Sequence, residues 1–292
     1  MKDYDEFTKE LLSELSAGRG DEFSYSFSES TKLNGVIIHT LTVSKKGSNI
    51  SPRIPLDYFF EEYTGGREIT DIAESISEII RMQPSFSQKV PDLNWEMVHD
   101  HIVFSIINYK VNTDMVSRLP HYRLSDLALI FRIDASFMDF NGFINVTNSL
   151  LNFLGKSKEE LLIQARRNMN RLLPLRIIKM SDMLGISELP DETEMLVCTN
   201  SEKSYGASGV LYDELAKHPI LKENADYYVI PSSIHETLLL KCEDFGENTA
   251  ELEEIVRSVN MSSAVTASEY LSDSVYRLSS LREEFSSLLP SM

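Results

Sequence analysis

Apolar residues recur at helical spacing in three stretches of the N-terminal quarter: residues 3–17, 56–63 and 68–83. Residues three or four positions apart share one face of a helix, so each stretch predicts an amphipathic helix with one buried side. The third stretch has the clearest stripe, formed by Ile69, Ile72, Ile76, Ile79 and Ile80.

Between the first and second predicted helices, apolar residues recur at every second position instead of every third or fourth. The stretch "EFSYSFSES" (22–30) places aromatic residues at every second position, and another apolar run follows after Asn34-Gly35. Asn and Gly both accept a positive φ, which the tight turns of hairpins require. Residues 22–44 are therefore predicted to form a β-hairpin.

The middle of the chain predicts shorter elements. Residues 84–95 are polar and contain proline, which predicts a linker. Residues 95–109 fit a helix and a strand equally well. Residues 112–120 predict a short helix, 124–134 end in a strand, and 142–155 predict a strand followed by a helical turn.

A capping signal opens the next helix. Ser157 precedes Glu160 by three positions at the start of an amphipathic stretch, 157–173, which is the spacing of a capping box. Basic residues cluster over 165–179, and we interpret this cluster as a solvated helix face followed by a strand.

The last third is the most regular part of the chain. Its pattern predicts strands and helices in the order β-α-β-β-α-β, over residues 194–200, 206–219, 226–231, 235–242, 248–260 and 273–278. This is the order of a ferredoxin-like split βαβ fold. The predicted fold class is α+β, with divisions at 1–90, 91–185 and 186–292. The tail after residue 278 predicts a loose helix or a frayed end.

The chain is acidic, with 45 Asp and Glu against 28 Lys and Arg and a net charge of −17. Such a surface repels phosphate backbones and anionic lipids, so nucleic acid and membrane are excluded as partners. The N-terminus lacks the apolar region of a secretory signal, which favours a cytoplasmic protein. Cys198 and Cys242 lie in apolar runs and are interpreted as free core thiols.

The stretch "DYYVIPSSIHETLLLKC" (226–242) gathers candidate chemistry between two apolar runs. A serine nucleophile, Ser232 or Ser233, would need His235 as its base and a third group to orient that base. Glu236 would point away from His235 on a strand, because side chains alternate. The competing interpretation is a hairpin in which Pro231 closes one strand and the serines supply turn hydroxyls. We favour the turn.

Three weaker candidates lie elsewhere. His99 and His101 could face a metal from a strand, but no third ligand is fixed by spacing. Gly206 and Gly209 stand between a predicted strand and helix, where an anion could bind, without a phosphate-loop motif. The acidic stretch "DASFMDFNG" (134–142) fails the calcium-loop pattern and is interpreted as a solvated loop.

Several stretches together resemble domain of unknown function family 5688, which occurs in low-GC Gram-positive bacteria (Firmicutes). They are "LNGVIIHTLTV" (33–43), "GSNISPRIPLDYFFEEY" (47–63), "LPHYRLSDLALIF" (119–131), "YGASGVLY" (205–212), "YYVIPSSIHETLLL" (227–240) and "LSDSVYRL" (271–278). The region 227–240 is also distantly similar to domain of unknown function family 1444. The resemblance implies a bacterial cytoplasmic protein and carries over no catalytic residues.

The sequence therefore favours a non-enzymatic binding or interaction module for a protein or small-molecule ligand. Its candidate recognition surface comprises Pro231, Ser232, Ser233, His235, Glu236 and Gly206. No catalytic residue, metal or cofactor is assigned, and no pattern indicates an oligomeric state. The alternative is a hydrolase or transferase that uses Ser233 or Ser232 with His235.

Overall fold

A computed structural model describes residues 3–17, 22–48, 51–82, 93–138, 142–186, 195–246, 249–262 and 264–289. They belong to two units, Met1–Asp92 and Leu93–Met292. The first unit ends close to the division predicted at residue 90. The predicted linker, 84–95, lies outside the described residues as far as Asp92.

The predicted hairpin forms the sheet of the N-terminal unit. Strands β1 (Phe23–Thr31) and β2 (Ile37–Lys45) pair antiparallel, and β3 (Arg53–Pro55) adds to the other edge of β2. Asn34 and Gly35 adopt φ values of 60° and 74° at the turn, which confirms the reason for expecting them there.

Three helices cover this sheet, and all three were predicted: α1 (Tyr4–Ala17), α2 (Asp57–Thr64) and α3 (Ile69–Arg81). In α1 the residues Phe7, Leu11 and Leu15 are buried, whereas Leu12 is exposed. Helix α3 buries Ile72 and Ile76 from its predicted stripe. Burial of a helix stripe against a sheet face is the main favourable term for such a small core.

The second unit begins with an antiparallel sheet of four strands: β4 (Ile102–Asn108), β5 (His121–Leu124), β6 (Leu127–Asp134) and β7 (Phe143–Asn145). Strand β6 is central, because β4, β5 and β7 all pair with it. The ambiguous stretch 95–109 contains both predicted elements. It starts as a short helix, α4 (Trp95–Val98), and ends as the fully buried strand β4.

Helices α5 (Thr113–Val116), α6 (Asn148–Leu154) and α7 (Lys158–Leu172) flank this sheet. The capping box predicted for α7 is present: Glu160 N–H donates to Ser157 Oγ at 3.1 Å, and Ser157 N–H donates to Glu160 Oε2 at 2.8 Å. It satisfies two backbone N–H groups that have no partner within the helix.

A five-stranded antiparallel sheet completes the unit. Its strands are β8 (Leu175–Lys179), β9 (Leu196–Asn200), β10 (Tyr227–Ser233), β11 (Glu236–Lys241) and β12 (Tyr276–Arg277), in the order β12-β10-β11-β9-β8. Its helices are α8 (Met180–Leu184), α9 (Cys242–Phe245), α10 (Ala250–Asn260) and α11 (Leu278–Ser286). Strands β8 and β9 pair across the division predicted at 185/186.

The α+β class is confirmed, but the strand order is not the ferredoxin-like one. Strand β11 lies between β9 and β10, as a split βαβ requires, yet β12 pairs with β10 instead of β9. The free edge of β9 is taken by β8, a strand outside the predicted six-element unit. The last strand therefore adds to the opposite edge of the sheet.

Two other elements of the C-terminal third differ from the prediction. Residues 206–219 form two 3-10 helices, Gly206–Leu211 and Asp213–Lys217, instead of one α-helix. The tail, predicted to be a loose helix or a frayed end, is a helix, α11, but it is packed: Phe285 is 2% exposed and its ring centroid lies 5.6 Å from that of Phe104. No helix among the described residues is long and apolar enough to cross a membrane.

Candidate functional site

The serine–histidine stretch forms the predicted turn between two paired strands. Strand β10 ends at Ser233 and β11 begins at Glu236, so Ile234 and His235 make the connection. The register shifts between Pro231 and Ser233, a bulge that accommodates a residue without a backbone N–H.

Both serine hydroxyls are bonded within the turn. Ser233 Oγ accepts the backbone N–H of His235 at 3.0 Å, and Ser232 Oγ donates to Glu236 Oε1 at 3.3 Å. These bonds close the turn in the way that Ser side chains commonly do. Ser232 and Ser233 are half-buried, so the turn remains accessible from one side.

The imidazole of His235 faces two other groups. Its Nδ1 accepts the backbone N–H of Tyr205 at 3.2 Å, and its Nε2 lies 3.8 Å from Glu269 Oε1. In the neutral ring Nδ1 is thus the acceptor and Nε2 carries the proton. No hydrogen bond joins this ring to a hydroxyl of Ser232 or Ser233 among the described contacts. A nucleophile and its base are therefore not assembled here.

Gly206 lies directly beneath the turn. A Cβ at this position would stand 2.3 Å from Thr199 Oγ1 and 2.6 Å from the carbonyl oxygen of His235. Two hydrogen bonds attach the neighbouring segments to the turn: Thr199 Oγ1 donates to His235 O at 2.8 Å, and Ala207 N–H donates to Ile234 O at 3.3 Å. The structure brings Gly206 and the turn together, while their role in recognition stays a prediction.

The sequence interpretation missed two neighbours of the turn, Arg132 and Tyr205. Arg132 belongs to β6 and is 5% exposed, and its Cζ lies 3.5 Å from the centroid of the Tyr205 ring. Tyr205 adopts a positive φ of 52°, a left-handed conformation that is uncommon outside glycine. One signal was present: Arg132 interrupts the otherwise apolar stretch Leu127–Ile133.

The Arg132 guanidinium is a buried positive charge without a counter-charge among the described residues. Burial lowers its pKa, and the neighbouring Tyr205 acts in the opposite direction. Arginine stays protonated even so. Its Nε is buried without a hydrogen-bond partner, and no carboxylate of the described residues lies within ion-pair distance. Arg166, in contrast, pairs with Asp213 at 2.6 Å.

The two histidines of "VHDHI" have separate partners. His99 Nδ1 lies 2.9 Å from Asp100 Oδ1, whereas the His101 ring stacks on Phe137 with centroids 4.5 Å apart. No group of three metal-ligating side chains occurs in the described part of the chain. In the acidic loop, Asp134 accepts the backbone N–H of Ser136. Asp139 and Asn141 lie outside the described residues.

The two cysteines are free thiols in different surroundings. Cys198 is buried in β9, and Cys242 is partly buried at the start of α9. Burial raises the pKa of Cys198 to about 12. A thiol in this state is a poor nucleophile at neutral pH.

A separate cavity of about 440 Å³ lies beside the start of α11, lined in part by Asp226, Ser279 and Arg282. These groups already have partners within the protein. Asp226 Oδ2 accepts from Ser279 Oγ at 2.6 Å, and Arg282 Nη1 donates to the carbonyl oxygens of Val210 and Tyr212. The exposed side chains of Lys217 and Glu223 also line this cavity.

Fold and site together define a mixed α+β protein whose serine–histidine stretch is a hydrogen-bonded turn. Beside it lies a buried arginine that has no ion-pair partner in the described part of the chain. The chain belongs to the Family of unknown function (DUF5688), whose model matches residues 4–280. This confirms the resemblance seen in the sequence. No match was found among curated proteins or among solved structures.

Proposed function

We propose that the protein is a non-enzymatic binding module. Its recognition site is what we call the turn surface: Ser232, Ser233, His235 and Glu236, with Pro231 and Gly206 buried beneath them and Tyr205 beside them. The observation that carries this proposal is the hydrogen bond from Tyr205 N–H to His235 Nδ1. It orients the imidazole away from both serines and leaves an ordered polar surface in place of a nucleophile.

The contacts of the turn support recognition by a preorganised surface. Ile234 N–H donates to Glu269 O at 2.9 Å, so the turn is tied to a third segment as well as to the 3-10 helix below it. The side chains of His235 and Glu269 are 33% and 39% exposed. Groups held in place before binding lose little conformational entropy when a ligand arrives.

The net charge of −17 supports a protein or small-molecule ligand over nucleic acid. Against the rival activity, a hydrolase or transferase using Ser233 or Ser232, stands the orientation of His235. Its Nε2 faces Glu269 instead of a hydroxyl.

A ligand screen on matched variants tests the proposal. Metabolites and short peptides are screened by thermal shift, and each hit is titrated calorimetrically against wild type, His235→Gln and His121→Gln. The last is a matched control, because His121 also bonds a backbone group through Nδ1 but lies in β5. We expect at least one hit whose affinity falls about tenfold in His235→Gln alone, the loss typical of one hydrogen bond.

Two outcomes would overturn the proposal. One is that no compound binds, or that every hit binds the three proteins alike. The other is covalent labelling of Ser232 or Ser233 by a fluorophosphonate that His235→Gln abolishes. That result would establish a nucleophile–base pair and favour the rival hydrolase or transferase.

A further inference from the structure

We infer that Arg132 makes the turn surface an oxyanion site, so that the ligand carries a carboxylate or a phosphate group. The inference rests on the proposed function for the location of the ligand. Its own basis is different: a guanidinium that the protein buries and that has no anionic partner among the described residues.

Burial of the Arg132 charge costs free energy unless a group of opposite charge pairs with it. Strand β6 is buried from Leu127 to Ile133, and every other residue in that stretch is apolar. A charge in such surroundings loses hydration and needs a partner of opposite sign. Departures from an otherwise consistent core pattern are characteristic of functional sites.

The guanidinium keeps one buried donor, its Nε, without a hydrogen-bond partner. Tyr205 covers one face of the group, with 3.5 Å between Cζ and the ring centroid. The N–H bonds of a guanidinium lie in its plane, so stacking on the ring uses none of them. The Tyr205 hydroxyl also interacts with the guanidinium. The Nε has no hydrogen-bond partner in the protein. An oxyanion with two oxygen atoms can accept two parallel N–H bonds from such an edge.

Aromatic rings connect the Arg132 guanidinium to the turn surface. The Tyr205 ring lies 5.7 Å from the His235 ring and 6.3 Å from the Phe143 ring, measured between centroids. Two carboxylates lie near this cluster and both have partners. Glu269 faces His235 Nε2 and accepts from Thr266 Oγ1, and Glu236 accepts from Ser232 Oγ. The ligand class is therefore a molecule or chain end with one oxyanion group and an apolar or aromatic portion against Tyr205.

Anion titrations test the inference with simple probes. Inorganic phosphate and acetate are titrated separately at constant ionic strength, balanced with sodium chloride, while the melting temperature is recorded. The proteins are wild type, Arg132→Met and the control Arg123→Met. Arg123 also stacks on a tyrosine, Tyr109, with Cζ 4.7 Å from the ring centroid, but it is exposed in β5.

We expect a saturable rise in melting temperature for wild type and Arg123→Met with at least one anion, and none for Arg132→Met. The anion that acts identifies whether phosphate or carboxylate is the preferred group. A rise that Arg132→Met retains, or no rise in wild type with either anion, would overturn the inference.

A measurement on the wild type covers the case in which Arg132→Met fails to fold. The Nε–H resonance of Arg132 should shift in nitrogen–proton correlation spectra as the effective anion is added, and an unmoved resonance refutes the site. Failure of this inference is distinguishable from failure of the proposed function. Hits that are insensitive to His235→Gln, together with an anion response that needs Arg132, would reject only the turn surface.

Discussion

The backbone N–H of Tyr205 donates to the Nδ1 atom of His235 across 3.2 Å. This bond joins two segments that are thirty residues apart in the chain and determines which ring nitrogen of His235 carries its proton. It also holds Tyr205, in its left-handed conformation, where its ring covers Arg132. One contact therefore links the turn to the buried charge.

Substitution of Gly206 should destabilise the protein strongly. In Gly206→Ala the new Cβ would meet the backbone of His235 and Asn200 at 2.6 and 2.8 Å, and backbone cannot move cheaply. We expect the free energy of unfolding to fall by roughly 3 kcal/mol. Gly209→Ala is the matched comparison, because its contacts at 3.0 Å are side-chain atoms of Cys198 and Leu175. An equal or larger loss in Gly209→Ala, measured by urea unfolding, would contradict this account.

Removal of the helix cap should cost less. Ser157→Ala deletes the oxygen that accepts from Glu160 N–H at the start of α7, so we expect a loss of about 1 kcal/mol in urea unfolding. The control is Ser149→Ala, an exposed serine in α6. A loss in Ser149→Ala as large as that in Ser157→Ala would show that the cap is not the cause.

The C-terminal helix should contribute substantially to stability. Phe285 is 2% exposed, its ring lies 5.6 Å from that of Phe104, and the Arg166 guanidinium stands 5.2 Å above it. We expect Phe285→Ala to lower the free energy of unfolding by about 3–5 kcal/mol. Glu283→Ala, on the exposed side of α11, should change it by less than about 0.5 kcal/mol. Wild-type stability in Phe285→Ala would mean that α11 is frayed after all.

Alkaline pH should weaken the fold through Cys198. Burial raises the pKa of its thiol to about 12 from an ordinary value of 9.0, so the folded state keeps a proton that the unfolded state releases. The free energy of unfolding should therefore fall as pH rises above 9, by roughly 1 kcal/mol per pH unit from this group. Burial also raises the pKa of Tyr212 and Tyr276, which extends the decline above pH 10.

Urea unfolding of Cys198→Ala at pH 8, 9 and 10 isolates the thiol. Its stability should decline less steeply with pH than that of wild type. Cys242→Ala should reduce the slope less, because Cys242 is only partly buried and its pKa is raised mainly by that partial burial. If the free energy of unfolding declined equally with pH in wild type and Cys198→Ala, the alkaline destabilisation would not come from the Cys198 thiol.

Local signals in the sequence were sufficient for much of the fold. The positive φ values of Asn34 and Gly35, the buried stripe of α3 and the capping box of Ser157 depend on residues within a few positions of each other. Periodicity and turn chemistry report such short-range geometry directly. The same kind of reasoning identified the turn between β10 and β11.

The remaining features depend on contacts between distant segments. The two 3-10 helices replaced the helix predicted over 206–219, because the backbone at Gly206 must pass within a few ångströms of Thr199 and the turn. Strand β12 pairs with β10, while β8 occupies the edge of β9 that the prediction had given to β12. Neither the close approach at Gly206 nor the pairing partner of β12 can be predicted from a local sequence pattern.

The sequence by itself determined the local elements, the acidic surface and the family, since each depends on composition or on neighbours along the chain. Only the tertiary structure decided that the His235 ring bonds to Tyr205 instead of a serine, and that Arg132 is buried against the Tyr205 ring. Those relationships arise when three segments pack together, and hydrogen bonding and desolvation then act on groups that the chain order keeps apart.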